Sequence, residues 1–427
     1  MNTDLNRVTR LLAAALCTAM LAAPATAREK PSALVSAREV KTDVAGLKAP
    51  GQILVDVWGI PQIYAGNEHD LFFLQGFNAA RDRLWQIDLW RKRGLGLLAK
   101  DFGPAYAEQD KALRLFLYRG DMNAEWAAYG PKAKTYAEAF VAGVNAYVAD
   151  VNAGKRPLPI EFRIAGTKPD LWSAEDVVRV RSHGLTRNVA SEVKRALVAC
   201  AAGLDADRFR VKLEPDWTTK IPEGLDPCSV PKGVLEAYDL ATRPVKFAAP
   251  KDQKAALAHD PDRFLAEADQ QRDTIGSNNW VIAASRTATG RPILANDPHR
   301  EHSVPSLRYI VGLNAPGISV IGAGEPALPG ISIGHNDTIA FGLTIFNVDQ
   351  EDLYVYELNP DNPNQYRYGT GWEDMKVVHE KEAVKGEADR DLELKFTRHG
   401  PVIFVDADNK HAFAVRSIWF EPGTSAY

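Results

Sequence analysis

The stretch Gly276-Ser277-Asn278-Asn279-Trp280-Val281 stands where the chain changes character. Before it, from Ala241 to Gly276, Lys, Asp, Glu, Gln, Ala and Pro dominate and large apolar residues are few, the composition of a solvated, removable linker. After it, strand signals take over. Residues 280–284, a Thr287-Ala-Thr-Gly290 turn and residues 292–295 read as a hairpin, and β-rich runs come at 318–321, 331–333, 338–345, 353–358 and 402–405. A serine at such a junction has a chemical use. Cleavage before Ser277 would free an α-amine of pKa ~7.7–8.0, near enough to neutrality to serve as base for the serine's own hydroxyl.

Outward from that point, the amino-terminal side reads as helix. Residues 53–64 form two short strands around Gly59-Ile60-Pro61, after which Leu71, Phe72, Phe77, Leu84, Trp85, Ile87, Leu89 and Trp90 recur at three- and four-residue steps through 69–102. A second helix is expected over 131–150, with Tyr136, Phe140, Val144 and Tyr147 on one face, and a third over 173–202, opening on the capping-box-like Ser173-Ala-Glu-Asp. Helices first and strands second describe an α+β chain.

At the amino terminus, Arg7 and Arg10 precede an apolar run over 11–23 and the small-x-small site Ala25-Thr26-Ala27. This reads as a signal peptide over 1–27, too short for a spanning helix, and places the protein in the periplasm or outside the cell. Export leaves Cys200 and Cys228 as the cysteines of the mature chain; a bridge between them and two buried thiols are both open readings. The whole chain of 427 residues is 45% hydrophobic and 25% charged with net charge −4 and no basic stripe, so neither nucleic acid nor an anionic membrane surface is the expected partner. The G-x-S-x-G elbow, the H-E-x-x-H helix, the P-loop and G-x-G-x-x-G are all missing from the sequence.

Seven ordered motifs carry a resemblance: Asp56-Val-Trp-Gly-Ile-Pro61, Ala80-Arg-Asp-Arg-Leu-Trp-Gln86, Gly276-Ser-Asn-Asn-Trp-Val281, Ala295-Asn-Asp-Pro-His299, Leu328-Pro-Gly330, Gly334-His-Asn336 and His399-Gly-Pro401. From about Val55 to Tyr427 the chain resembles the penicillin acylase (penicillin amidase) family of amino-terminal-nucleophile (Ntn) hydrolases. In that family a precursor cuts itself, discards a spacer and leaves a helical α chain clasped by a β chain whose first residue is the nucleophile. The resemblance implies a signal peptide over 1–27, an α chain over 28–241, a spacer over 242–276 and the start of a β chain over 277–427. The implied fold is a four-layer αββα sandwich, incomplete here because the stretch from Ser277 to Tyr427 is short for a family β chain.

The resemblance also assigns roles. Ser277 is implied as nucleophile and, through its α-amine, general base, with the cleavage site at Gly276-Ser277. His299 falls at the position whose backbone carbonyl helps hold that amine. The backbone N–H of Ile345 is implied as an oxyanion donor, and Ile333 and Phe346 as neighbours of the acyl pocket. Asp349, the Glu351 carbonyl and Asp352, with Glu192 from the α chain, are implied as ligands of one structural Ca²⁺, as hard oxygen donors suit. The implied activity is hydrolysis of a small-molecule linear amide: a penicillin or cephalosporin side chain, an acyl-homoserine lactone or a similar compound. No organic cofactor is expected. The competing reading is an uncleaved relative, catalytically inert or binding ligand only.

Overall fold

The computed structural model describes residues 39–180, 188–211, 217–248, 252, 255–256, 258–274, 276–299, 302–345 and 348–424, the side chains of 271–274 excepted. The expected signal peptide lies outside the described residues. Residues 39–44 belong to a lead-in that forms a unit of its own and is mostly exposed. The second unit begins at Ala45 and contains every helix and strand named below.

Two short antiparallel strands, β1 (Gln52–Val55) and β2 (Pro61–Tyr64), open this unit. Their turn is held by Asp56, whose Oδ1 accepts the backbone N–H groups of Trp58 and Ile60, both at 2.9 Å. Helix α1 (Glu68–Leu95) begins at Asn67, whose side chain accepts the Asp70 N–H, and ends at Gly96 in the left-handed region. After α2 (Leu98–Phe102), α3 (Ala107–Leu115) and α4 (Met122–Tyr129) comes α5 (Ala133–Asn152), which packs along α1. Glycine permits that crossing. A Cβ on Gly143 would sit 1.8 Å from the Phe73 carbonyl oxygen, and one on Gly76 would sit 1.9 Å from that of Phe140. The third expected helix is seen as α6 (Ala174–Arg179), with the Ser173–Asp176 capping box, and α7 (Asn188–Ala202); residues 181–187 are not described.

The linker stretch is not uniformly solvated. The end of α8 (Glu236–Thr242) reaches into its start and α9 (Pro261–Thr274) lies before the junction, and Phe264 and Leu265 of α9 are buried.

Beyond α9 the chain is strand-rich. The two-stranded antiparallel sheet of β3 (Ser277–Ile282) and β4 (Ile293–Pro298) comes first. A six-stranded sheet runs β1-β2-β5-β6-β7-β8, with β5 (Tyr309–Ala315), β6 (Ile318–Gly324), β7 (Ile333–His335) and β8 (Ala340–Phe341). Its β2–β5 pairing is parallel, and α1 covers it at Leu71 and Leu74. Buried Gln75 on α1 bonds both backbone groups of Gly330 at 2.9 Å, which gives Leu328-Pro-Gly330 a structural purpose. A seven-stranded sheet is built from β9 (Glu351–Asn359), β10 (Asn362–Tyr368), β11 (Gly371–Asp374), β12 (Lys376–Glu382), β13 (Arg390–Thr397), β14 (Gly400–Asp406) and β15 (His411–Ser417). Its inward residues Leu394, Phe413 and Val415 share one core with Leu113, Val193, Tyr238 and Phe264 of the helices. Helices followed by strand-rich sheets make the chain α+β, as expected. Among the described residues, β3–β4 is hydrogen-bonded as a strand ladder to neither larger sheet.

Candidate active site

The register of the β3–β4 hairpin assembles the junction. Ser277 lies opposite Pro298, so His299, one residue past β4, meets Gly276. Its backbone N–H donates to the Gly276 carbonyl at 3.0 Å. The Ser277 hydroxyl donates to the same carbonyl oxygen at 2.6 Å, and its Oγ receives the Ile345 backbone N–H at 3.3 Å. Two main-chain N–H groups and one hydroxyl therefore converge on the Gly276–Ser277 bond. In this uncut chain the N–H of His299 meets the junction. The His299 side chain is 44% exposed, and its Nε2 lies 3.1 Å from both Asp297 Oδ2 and Asn278 Nδ2. One nitrogen serves only one of these at a time: it accepts from Asn278 when unprotonated and donates to Asp297 when protonated.

Ile345 reaches the serine through Asn296. The Asn296 side-chain amide accepts the Leu343 N–H at 3.1 Å, donates to the Leu343 carbonyl at 2.9 Å and donates to the Asn278 carbonyl at 3.0 Å. A side chain thus replaces one rung of a sheet and ties residues 342–345 to the hairpin. Gly342 leaves room for it, since a Cβ there would lie 2.7 Å from Asn279 Nδ2 and 3.0 Å from Asn296 Cβ. The sequence reading includes Asn296 only as part of a motif and gives it no role. Ile333, expected at the acyl pocket, opens β7 half-buried and opposite Ala323 of β6. Phe346 lies outside the described residues.

The apolar residues around this junction are unusually open. Trp280 is 51% exposed, Val281 64% and Phe341 55%, and both faces of the hairpin share that exposure.

The acids expected to bind calcium gather where α7 meets the start of β9. Burial pushes the Glu192 carboxyl up to about 7; Arg195 opposes the shift, and Asp349 and Asp352 add to it. Burial and Asp349 likewise raise Asp352. Asn188 bridges the group, donating to Asp349 Oδ1 and to the Glu351 carbonyl, each at 2.8 Å. The Glu351 carboxylate is buried elsewhere, accepting from Tyr238 at 2.8 and 2.9 Å. Among the described residues, no three His, Cys, Asp or Glu side chains converge closely enough to hold a metal ion. The donor chemistry is nonetheless hard oxygen, and the mutual repulsion of Glu192, Asp349 and Asp352 is of the kind a divalent cation relieves. On the same helix, Cys200 is joined to Cys228 by a disulfide with Cα atoms 4.9 Å apart. Among the described residues no helix is long and apolar enough to cross a membrane.

Comparison with known proteins agrees with these motifs. The penicillin amidase family model matches residues 50–427. A penicillin acylase 2 proenzyme from Pseudomonas sp. (strain SE83) is 33% identical over 408 residues, covering 94% of this chain and 50% of that protein. The acyl-homoserine lactone acylase QuiP of Pseudomonas aeruginosa is 29% identical over 365 residues, covering 84% of this chain and 41% of that protein. Among solved structures, the orthorhombic form of a thermostable penicillin G acylase from Alcaligenes faecalis is 32% identical, covering 34% of this chain and 26% of that one at a TM-score of 0.32. The chain spans about half the length of the curated relatives it matches. With a family match over most of its length, the chain belongs to the penicillin amidase family.

Proposed function

We propose that this chain is the nucleophile-bearing part of an exported amide-hydrolysing acylase that activates itself by cutting the Gly276–Ser277 bond. The observation that carries the reading is the convergence of the Ser277 hydroxyl, the His299 N–H and the Ile345 N–H on that bond. In the self-cleavage, Ser277 Oγ adds to the Gly276 carbonyl carbon, and the oxygen that becomes negative already accepts the His299 N–H. The C–N bond breaks, the Ser277 nitrogen takes the hydroxyl proton, and water hydrolyses the resulting ester to a Gly276 carboxylate and a free Ser277 hydroxyl. The new α-amine is then the base for the same hydroxyl in attack on a substrate amide. The amide's amine leaves, and water hydrolyses the acyl-serine. The Ile345 N–H, placed by Asn296, is the donor for the substrate's oxyanion.

The names of the relatives point to β-lactam side chains and acyl-homoserine lactones as substrate types. A small-molecule acyl amide is the proposed substrate, and fragments derived from one precursor are the proposed partners. For structural calcium, Glu192, Asp349, the Glu351 carbonyl and Asp352 would hold the ion, which would supply positive charge at the meeting of α7 and β9.

Intact-mass measurement tests the main reading. The purified chain should yield a fragment beginning at Ser277, and Ser277→Ala should remain whole. A whole wild-type chain, unchanged by that substitution, supports the inert alternative and sinks the proposal. Phenylacetyl, glutaryl and C6 to C12 acyl amides then sort the substrate class. For calcium, added Ca²⁺ should raise the melting temperature of the wild type and leave that of Glu192→Ala unmoved; equal shifts in both would remove these ligands from consideration.

A further inference from the structure

The self-cleavage proposed above passes through an ester between the Gly276 carbonyl and Ser277 Oγ, and a water molecule has to attack that ester. The space beside Gly276 is where a side chain would go. A Cβ placed there would meet His299 Nδ1 at 3.4 Å, and among the described residues no other atom outside its chain neighbours lies within 4 Å of that point. Glycine therefore leaves, next to the scissile carbonyl, an opening bounded by an imidazole nitrogen. Gly276 and Ser277 are half-buried and Asn278 is exposed, so the junction is within reach of solvent.

The imidazole is held on two sides. The His299 backbone N–H donates to the Gly276 carbonyl at 3.0 Å, which keeps the residue against the junction. Its Nε2 lies 3.1 Å from Asp297 Oδ2 and 3.1 Å from Asn278 Nδ2. These two neighbours favour opposite tautomers. A proton on Nε2 suits Asp297 and leaves a lone pair on Nδ1; a bare Nε2 suits Asn278 and puts the proton on Nδ1.

We propose that His299 is the base for the ester-hydrolysing step of self-cleavage, acting through Nδ1 on a water in the opening beside Gly276, with Asp297 as its positioning residue; this rests on the self-cleavage read above. As the water oxygen bonds to the Gly276 carbonyl carbon, one of its protons passes to Nδ1, and the Nε2–H of the imidazolium so formed donates to Asp297. The bond from that carbon to Ser277 Oγ then breaks and Oγ takes the proton from Nδ1. The products are a Gly276 carboxyl group and a free Ser277 hydroxyl, and the imidazole returns to its starting state. The earlier amide-to-ester step draws only on the His299 backbone N–H, so loss of the ring should stop the chain at the ester.

Neutral hydroxylamine cleaves an ester and spares an amide, so intact mass after hydroxylamine treatment counts the chains stopped there. The wild type should form the Ser277 fragment with no hydroxylamine-sensitive pool. In His299→Ala hydrolysis should slow by about 10² or more and that pool should accumulate, with added imidazole restoring the cut. The melting temperature should hold, since the His299 side chain is 44% exposed. In Gly276→Ala the methyl fills the opening, so the pool should accumulate and imidazole should not clear it. Asp297→Ala should slow the step by up to about fivefold, the scale of an exposed pair, and Asn278→Ala should speed it. Asp297→Ala and Asn278→Ala shifting the rate in the same direction would remove Asp297 as the positioning residue. A His299→Ala chain that cuts at the wild-type rate, or stays whole with no hydroxylamine-sensitive pool, overturns the inference and leaves self-cleavage at Ser277 standing. A wild-type chain that stays whole, as Ser277→Ala should, overturns the self-cleavage reading and this step with it.

Discussion

Replacing Asn296 tests how Ser277, the proposed nucleophile, is aligned. Its amide makes three hydrogen bonds, two to Leu343 and one to Asn278. Each is worth ~0.5–1.5 kcal/mol net, and the low end applies because the contacts are partly wet. Asn296→Leu keeps the bulk and removes all three, so residues 342–345 should loosen by ~1.5–3 kcal/mol relative to the hairpin. Because Ile345 is the segment's contact with Ser277, its N–H would no longer be held at the proposed oxyanion position, and the proposed amide hydrolysis should fall by about 10²–10³. Asn296→Asp should fall between, since a carboxylate still accepts the Leu343 N–H but donates nothing to Leu343 or Asn278. Two assays are needed. Mass-detected hydrogen exchange over the peptide containing Leu343 should speed up about tenfold, as expected for ~1.4 kcal/mol, without requiring an active enzyme. Turnover of a chromogenic amide should drop while the melting temperature stays within about 2 °C, since the bonds are local and exposed. Unaltered exchange at Leu343, or a loss of turnover only in step with global unfolding, would refute Asn296 as the positioning residue.

Gly143→Ala would drive a methyl into the Phe73 carbonyl oxygen, where neither backbone can yield. The expected cost is about 3 kcal/mol or more, read as a lower urea midpoint. At Asp110, burial pushes the carboxyl up to about 7, against the Ala99 and Leu98 N–H bonds that favour the charged form. Between the ordinary carboxylate value and about 7, the folded chain keeps a proton that the unfolded chain releases, so this group's contribution to stability falls as pH rises. Asp110→Asn should therefore flatten the decline in urea midpoint from pH 5 to 7; an unchanged slope would assign the decline to other groups. Joining Cys200 to Cys228 closes a loop across a sequence separation of 28, worth ~3–4 kcal/mol on chain-entropy grounds. Neither cysteine should react with iodoacetamide before reduction, and Cys200→Ser with Cys228→Ser should lower the melting temperature by several degrees.

The legible parts of the chain were those with local causes. The 3.6 period along Phe140, Val144 and Tyr147 fixed α5, and all three are buried. The hairpin was legible from the strand-forming residues on either side of the Thr287–Gly290 turn, although its strands run over Ser277–Ile282 and Ile293–Pro298 rather than 280–284 and 292–295. Strands β10, β12, β13 and β15 went unread because charged and polar residues interrupt them, as in Lys376–Glu382, and they are defined by their cross-strand partners. Helix α9 was missed because two adjacent apolar residues, Phe264 and Leu265, carry its docking amid Asp, Arg, Glu and Gln. Several motifs owed their regularity to turns. Asp56 and Asn336 both accept N–H groups of residues just downstream. Asn296 was illegible for a plainer reason: its partners at Leu343 are set by tertiary structure alone.

The bridge between Cys200 and Cys228 lies wholly on the amino-terminal side of Ser277. A cut at Gly276 would therefore leave two parts of this chain that the bridge does not join, held by the shared core around Tyr238, Leu394 and Phe413. Such a molecule behaves as a heterodimer from the moment it forms. Its resistance to unfolding would acquire a dependence on concentration that the precursor lacks, and once unfolded the halves would have to find each other again by diffusion. A denaturing gel without reductant would resolve them, and dilution after denaturation would lower the yield of refolded enzyme while sparing that of the uncut Ser277→Ala chain.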